Sequence, residues 1–122
     1  MQVTTAIIID DEPAAIQKLK IELNRVGVDL LGSVTNPLQS TEFIKEKNPD
    51  LVFLDVQMPQ ESGIEVLKDI VTAELECTVI MVTAFNDFML DAFRNLAFDY
   101  LLKPVDTLEL KKVVERFKVN RF

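Results

Sequence analysis

Leu51-Val52-Phe53-Leu54-Asp55 is an apolar run of strand length that stops at a carboxylate. Four apolar residues in succession read as a strand covered on both faces, the pattern of a parallel sheet between two layers of helices. In open α/β sheets ligands bind beyond the C-terminal ends of the strands. The run therefore delivers Asp55, an ionised oxygen nucleophile, to the edge where chemistry is done. A turn or a helix cap also takes an aspartate, and the residue by itself does not choose among these roles.

Toward the N-terminus, Thr4 to Asp10 reads as a first strand that ends in Asp10-Asp11-Glu12. Pro13 suits a first helical turn, Ile16, Leu19, Leu23 and Val26 follow at helical spacing, and Gly27 stops the helix. Val28 to Val34 is a second, weaker strand. Asn36-Pro37 opens a helix running through Leu38, Phe43 and Ile44 to about Lys47, and Asn48-Pro49-Asp50 turns into the central strand.

Toward the C-terminus, the loop from Val56 to Gly63 precedes a helix carrying Ile64, Leu67, Ile70 and Val71. Thr78 to Val82 is a fourth strand, followed by Thr83. Asn86 or Asp87 caps a fourth helix bearing Leu90, Phe93 and Leu96-Ala97, and Phe98 to Leu102 is a fifth strand ending in Lys103-Pro104. Asp106 or Thr107 caps a last helix on Leu110, Val113, Val114 and Phe117, with Val119 to Phe122 as its frayed end or the start of a linker. Five strands alternating with five helices predict an α/β domain with right-handed crossovers and a parallel sheet clothed on both faces. Asp10, Asp11, Asp55, Thr83 and Lys103 then gather along one rim.

A chain of 122 residues suffices for one domain, spanning 1–122, that buries its own core. Its single cysteine, Cys77, excludes an internal disulfide and a cysteine-rich metal site, and reads as a buried apolar filler. With no histidine in the chain, Ser-His, Cys-His and zinc-His chemistry is excluded. A net charge of -7 argues against a grip on a nucleic-acid backbone. All apolar runs are far shorter than the roughly 20 residues a bilayer span needs, and the start lacks a signal peptide's basic head, so a cytoplasmic location is the expectation.

Three carboxylates on one rim repel one another. Two unit charges about 4 Å apart cost about 4 kcal/mol at an effective dielectric of about 20. Lys103 offsets one charge, and a hard divalent cation offsets two more; an all-oxygen, partly hydrated shell suits Mg²⁺. Such a site accepts a phosphoryl group, which Asp55 can attack in line to become an acyl phosphate. The Thr83 hydroxyl is placed to donate to one phosphoryl oxygen.

Ile9-Asp10-Asp11-Glu12-Pro13, Leu54-Asp55-Val56-Gln57-Met58-Pro59, Gly63, Val82-Thr83-Ala84 and Asp99-Tyr100-Leu101-Leu102-Lys103-Pro104, in this order, resemble the receiver domain of bacterial two-component response regulators over essentially the whole chain. The resemblance implies a flavodoxin-like (βα)5 doubly wound fold with strand order 2-1-3-4-5. It implies that Asp55 takes its phosphoryl group from a sensor histidine kinase. Asp11, Asp55 and the backbone carbonyl of Gln57 would bind Mg²⁺, with Asp10 acting mainly through water. Lys103 would pair with phosphoryl oxygens, across a cis Lys103-Pro104 bond. Thr83 and Tyr100 would form the switch, altering the surface of the fourth helix, fifth strand and fifth helix, which in this family also serves homodimers. The domain would catalyse only its own phosphorylation and dephosphorylation.

Ser62 stands where the family usually has Asp before Gly63, and reads as a helix cap. Residues 83 to 104 resemble receivers attached to LytTR-type DNA-binding domains. The chain stops where a linker to such a domain would begin, so a piece of a longer transcription regulator is expected, with DNA contacted only through that effector domain. A stand-alone phosphorelay or protein-interaction receiver is the alternative. Other classes fit less well. A nucleotide-binding flavodoxin relative wants a Gly- or Ser/Thr-rich cradle where this chain has carboxylates. An aspartyl-phosphate phosphohydrolase wants a second carboxylate at position 57, which is Gln.

Overall fold

A computed structural model describes residues 3–84 and 96–120. The strands are β1 (Thr5–Ile9), β2 (Asp29–Val34), β3 (Leu51–Asp55), β4 (Thr78–Thr83) and β5 (Asp99–Leu102). All pair in parallel, in the order β2-β1-β3-β4-β5. The helices are α1 (Pro13–Arg25), α2 (Ser40–Lys47), α3 (Gly63–Thr72) and α4 (Thr107–Asn120). This is the flavodoxin-like doubly wound sheet expected from the sequence. The fourth predicted helix, from Asn86 or Asp87 through Leu90 and Phe93, lies outside the described residues. Leu96 and Ala97, assigned to its end, sit in the turn that leads into β5.

The side chains explain the covering on both faces. Successive strand residues point to opposite sides, so Ala6, Ile8, Leu51, Phe53, Ile80 and Val82 join Leu19, Leu23, Leu110 and Val114 on the α1/α4 side. Ile7, Ile9, Val52, Leu54, Val79 and Met81 join Ile44, Val66, Leu67 and Ile70 on the α2/α3 side. Every residue of β3 is buried. Among the described residues, no helix is long and apolar enough to cross a membrane.

The second predicted helix is corrected at its start. Pro37–Gln39 forms a 3-10 turn, because the Asn36 side chain accepts from the Leu38 N–H at 3.0 Å and the Ser40 hydroxyl donates to the Pro37 carbonyl at 2.7 Å. The α-helix begins only at Ser40. Asp106, one of two candidate caps for α4, accepts from the Glu109 N–H at 3.2 Å. Cys77 is half-buried rather than buried, and burial pushes its thiol up to about 11.

At the N-terminal edge of the sheet, Asp50 fastens three strands. Its Oδ2 accepts from the Thr5 N–H at 2.8 Å and the Thr5 hydroxyl at 3.1 Å, and its own N–H donates to Thr5 Oγ1 at 3.0 Å. Its carbonyl accepts from the Thr78 N–H at 2.9 Å. Removing a partly buried carboxylate that holds two donors costs about 2 kcal/mol. Asp50→Ala is expected to lower the urea midpoint accordingly, and an unchanged midpoint would show the clasp to be incidental.

Candidate functional site

The opposite edge carries the predicted rim. The ends of β1, β3, β4 and β5 converge because the strands are parallel and adjacent. One carboxylate oxygen each from Asp10, Asp11 and Asp55 lies within 4.8 Å of the others. Lys103 reaches in from beyond β5, its Nζ 2.9 Å from Asp10 Oδ2 and 3.4 Å from Asp55 Oδ1. The residues that bring it there are Leu102, paired with Thr83, and Lys103 itself, whose N–H donates to the Thr83 carbonyl at 2.8 Å. The Lys103–Pro104 bond is cis.

Each acidic residue has its own setting. Asp10 is buried, with Oδ1 accepting from the Glu12 N–H at 2.9 Å and Oδ2 from Lys103. It anchors the β1–α1 turn and the ammonium together. Asp11 differs: its Oδ1 is buried and has no hydrogen-bond partner among the described residues. A buried carboxylate oxygen left without a donor is costly, and a cation is the partner such an oxygen lacks. Asp55 is only 4% exposed at the end of β3.

The electrostatics follow from crowding. Burial is the main cause that raises the Asp55 carboxyl to about 7, the Asp10 charge and the nearby Asp11 carboxyl add to it, and Lys103 opposes them. Burial would lower the Lys103 ammonium, but its hydrogen bond to Asp10 and the charges of Asp55 and Asp10 outweigh that and raise it. The two shifts look contradictory for one ion pair. Distance resolves them: Lys103 sits nearer Asp10, so its charged form is secured there while Asp55 receives only part of its help.

The folded protein therefore holds a proton on Asp55 up to about pH 7, whereas the ordinary value is 3.8. Between these values the folded state binds more protons than the unfolded one, so stability falls as pH rises through the window. In chelator, the denaturation midpoint is expected to decline from about pH 4 to pH 7 by roughly 2–4 kcal/mol equivalent, and added Mg²⁺ to reverse the decline. A flat profile in chelator would contradict the crowded-carboxylate account.

The remaining predicted residues are nearby. Thr83 is buried at the end of β4, whose Val82 is the cross-strand neighbour of Asp55. Gln57 is exposed in the loop two residues past Asp55. Tyr100 is half-buried against the α2/α3-side core. Ser62 caps α3, its hydroxyl accepting from the Glu65 N–H at 3.3 Å.

Two residues carry more than the sequence disclosed. Gly63 donates its N–H to the Val56 carbonyl at 2.8 Å. A Cβ placed there would lie 2.1 Å from the Asp55 carbonyl oxygen. Only a residue without a side chain lets α3 start this close to the strand end that presents Asp55. The other is Asp99, bound by Arg116 at 2.6 Å. The glycine in the loop was a visible signal; the ion pair had none, since its members lie on different elements.

Residues 6–115 match the family model described as response regulator receiver domain. An uncharacterised response regulatory protein of Vibrio vulnificus is 44% identical over 113 residues, covering 92% of this chain and 46% of the relative. The transcriptional regulatory protein BtsR of Escherichia coli is 34% identical over 116 residues, covering 94% of this chain and 48% of its own length. The chain thus spans about half the length of these relatives. Among solved structures, a response regulator receiver domain protein from Clostridium thermocellum matches with a TM-score of 0.84 at 28% identity, covering 98% of this chain and 96% of its own. A CheY-like receiver domain from Methylobacillus flagellatus matches with a TM-score of 0.85 at 25% identity, covering 95% and 99%.

Proposed function

This chain belongs to the response regulator receiver domain family, and on that premise we propose that Asp55 is its phosphoacceptor. The observation that carries the reading is the cluster of buried Asp10 and Asp55 with half-buried Asp11, and Lys103 across it. An Asp55 oxygen forms a bond to phosphorus as the P–N bond of a kinase phosphohistidine breaks. The imidazole leaves with the electron pair and takes up a proton, and Asp55 becomes an acyl phosphate. These 122 residues contain no histidine, so the phosphohistidine lies outside them, and a small acyl phosphate or phosphoramidate can stand in for it.

The donor set fits Mg²⁺, because it is all oxygen and includes the unpartnered Oδ1 of Asp11. Asp11, Asp55 and the Gln57 carbonyl would hold the ion, with Asp10 behind them. When bound, it would supply positive charge against the carboxylates and the transferring phosphoryl oxygens. Lys103, already 3.4 Å from Asp55, takes a phosphoryl oxygen as its second partner while Asp10 keeps it aimed. The Thr83 hydroxyl and the Tyr100 ring act as the switch, a small electrostatic event biasing a two-state element. Outside its own phosphorylation and dephosphorylation the domain has no enzymatic role.

The receiver match spans residues 6–115, and we read the chain as this domain of a cytoplasmic regulator. The likeness to BtsR supports a transcriptional output, with DNA contacted by an effector domain of the longer protein. The run Ala97-Phe98-Asp99-Tyr100-Leu101-Leu102-Lys103-Pro104 favours the LytTR type, and the surface of β5 and α4 is where a homodimer would form. The test is mass spectrometry after incubation with acetyl phosphate. One phosphoryl mass is expected with Mg²⁺ and none in excess chelator; uptake indifferent to chelator would refute the metal-dependent reading.

A further inference from the structure

The C-terminal half of α4 grips the start of β5 through several different contacts. Arg116 Nη2 donates to Asp99 Oδ2 at 2.6 Å and to the Phe98 carbonyl at 3.2 Å. Its guanidinium carbon lies 4.7 Å from the centre of the Phe98 ring, within cation–π range. The next residue, Phe117, meets the same ring edge-on, with centroids 6.5 Å apart at 88°. Asp99 Oδ1 accepts from the Tyr100 N–H at 2.7 Å. One carboxylate therefore holds both the last helix and the backbone of Tyr100.

The ion pair itself is a minor contributor to stability, whereas Phe117 belongs to the buried core. The Arg116 side chain is 52% exposed, and exposed ion pairs contribute little. A cleft of about 550 Å³ opens beside the grip, lined by residues that include Asn48, Pro49, Cys77, Phe98, Phe117 and Asn120. Protein interiors are otherwise close-packed. The cleft borders the end of α4 and the N-terminal edge of β3 and β4, so the contacts of Arg116 lie where the helix meets solvent while Phe117 stays anchored in the core.

We propose that Arg116 is a positioning residue that couples β5 to the C-terminal half of α4, so that a change at Tyr100 and Lys103 is passed through Asp99 toward Asn120. The inference rests on the phosphoacceptor reading. It adds a named mechanical link between the strand that bears the switch and the end of the helix. Coupling between distant positions is carried by contiguous hydrogen-bond and salt-bridge networks, and Arg116 closes such a network between Asp99 and α4.

The test compares amide hydrogen exchange across α4 before and after treatment with acetyl phosphate and Mg²⁺, with phosphoryl uptake measured by mass in the same samples. The wild-type chain is expected to take up the group and to change exchange in the C-terminal half of α4. Arg116→Ala is expected to take up the group at the wild-type rate and to lose that change. Arg116→Lys, which keeps the charge opposite Asp99, restores part of it. Lys112→Ala, whose partner Glu109 lies on the same helix, leaves the response intact. A merely structural Arg116 would shift basal exchange in both states and preserve the difference between them. No uptake by the wild type would overturn the phosphoacceptor reading itself. Uptake with no response in wild-type α4, or with a full response in Arg116→Ala, would overturn the coupling alone.

Discussion

Asp55→Asn is expected to take up no phosphoryl group from acetyl phosphate under conditions in which the wild-type chain is expected to gain one. The amide lacks the ionised oxygen that must attack phosphorus, and on this reading the other two rim carboxylates are occupied, Asp11 by the cation and Asp10 by its hydrogen bonds. Asp10 has one oxygen committed to the Glu12 N–H and the other to Lys103. The same substitution carries a second signature that separates lost chemistry from lost folding. It removes the carboxyl that burial and its neighbours raise to about 7. The variant is therefore more stable than the wild type near pH 7 in chelator, and much of the decline in stability between about pH 4 and pH 7 disappears. A variant that is folded, flat in its pH profile and still phosphorylated would place the acceptor elsewhere.

Gly63→Ala is expected to cost about 3 kcal/mol or more, read as a lowered denaturant midpoint. In an ordinary helix this change is favourable by roughly 0.5–1 kcal/mol. Here the sign reverses because of what the new methyl meets. Its position is 2.1 Å from the Asp55 carbonyl oxygen, 2.8 Å from Val56 Cα and 2.9 Å from the Asp55 carbonyl carbon. All three are backbone atoms of the strand end, which cannot rotate aside. Either α3 backs away or Asp55 is displaced, so slowed phosphoryl uptake accompanies the lost stability. A midpoint at or above wild type with unchanged uptake would show that the helix start relaxes freely.

The parts of this domain that the sequence announces are those set by local pattern or by strand direction. β3 falls on Leu51–Asp55 as its apolar run implies, and the ends of parallel strands bring Asp10, Asp11, Asp55 and Lys103 together without any detail of packing. Hydrogen bonds between neighbouring residues moved the start of α2, since Asn36 and Ser40 turn Pro37–Gln39 into a tighter helix than periodicity suggests. What stayed hidden depends on distant partners. Asp50 reads as a turn residue but binds Thr5, forty-five positions away. Asp99 and Arg116 are seventeen apart, and no periodicity links a strand's first residue to a helix's third turn. Gly63 was legible as a loop glycine, but its contact with the Asp55 carbonyl exists only once α3 is docked. The switch roles of Thr83 and Tyr100 come from the family resemblance, whereas the Thr83 hydroxyl's reach toward a phosphoryl oxygen follows from its place at the end of β4.

The alternation of side chains along β3 makes the sheet a party wall between two separate interiors. Leu51 and Phe53 serve the rooms beneath α1 and α4, Val52 and Leu54 those beneath α2 and α3. The two clusters share no buried side chain, so a change of volume in one meets the other only through the sheet backbone, which its own ladder holds. The packing beneath α1 and α4 can therefore differ from that beneath α2 and α3 while the wall, and the acid at its end, stays where it is.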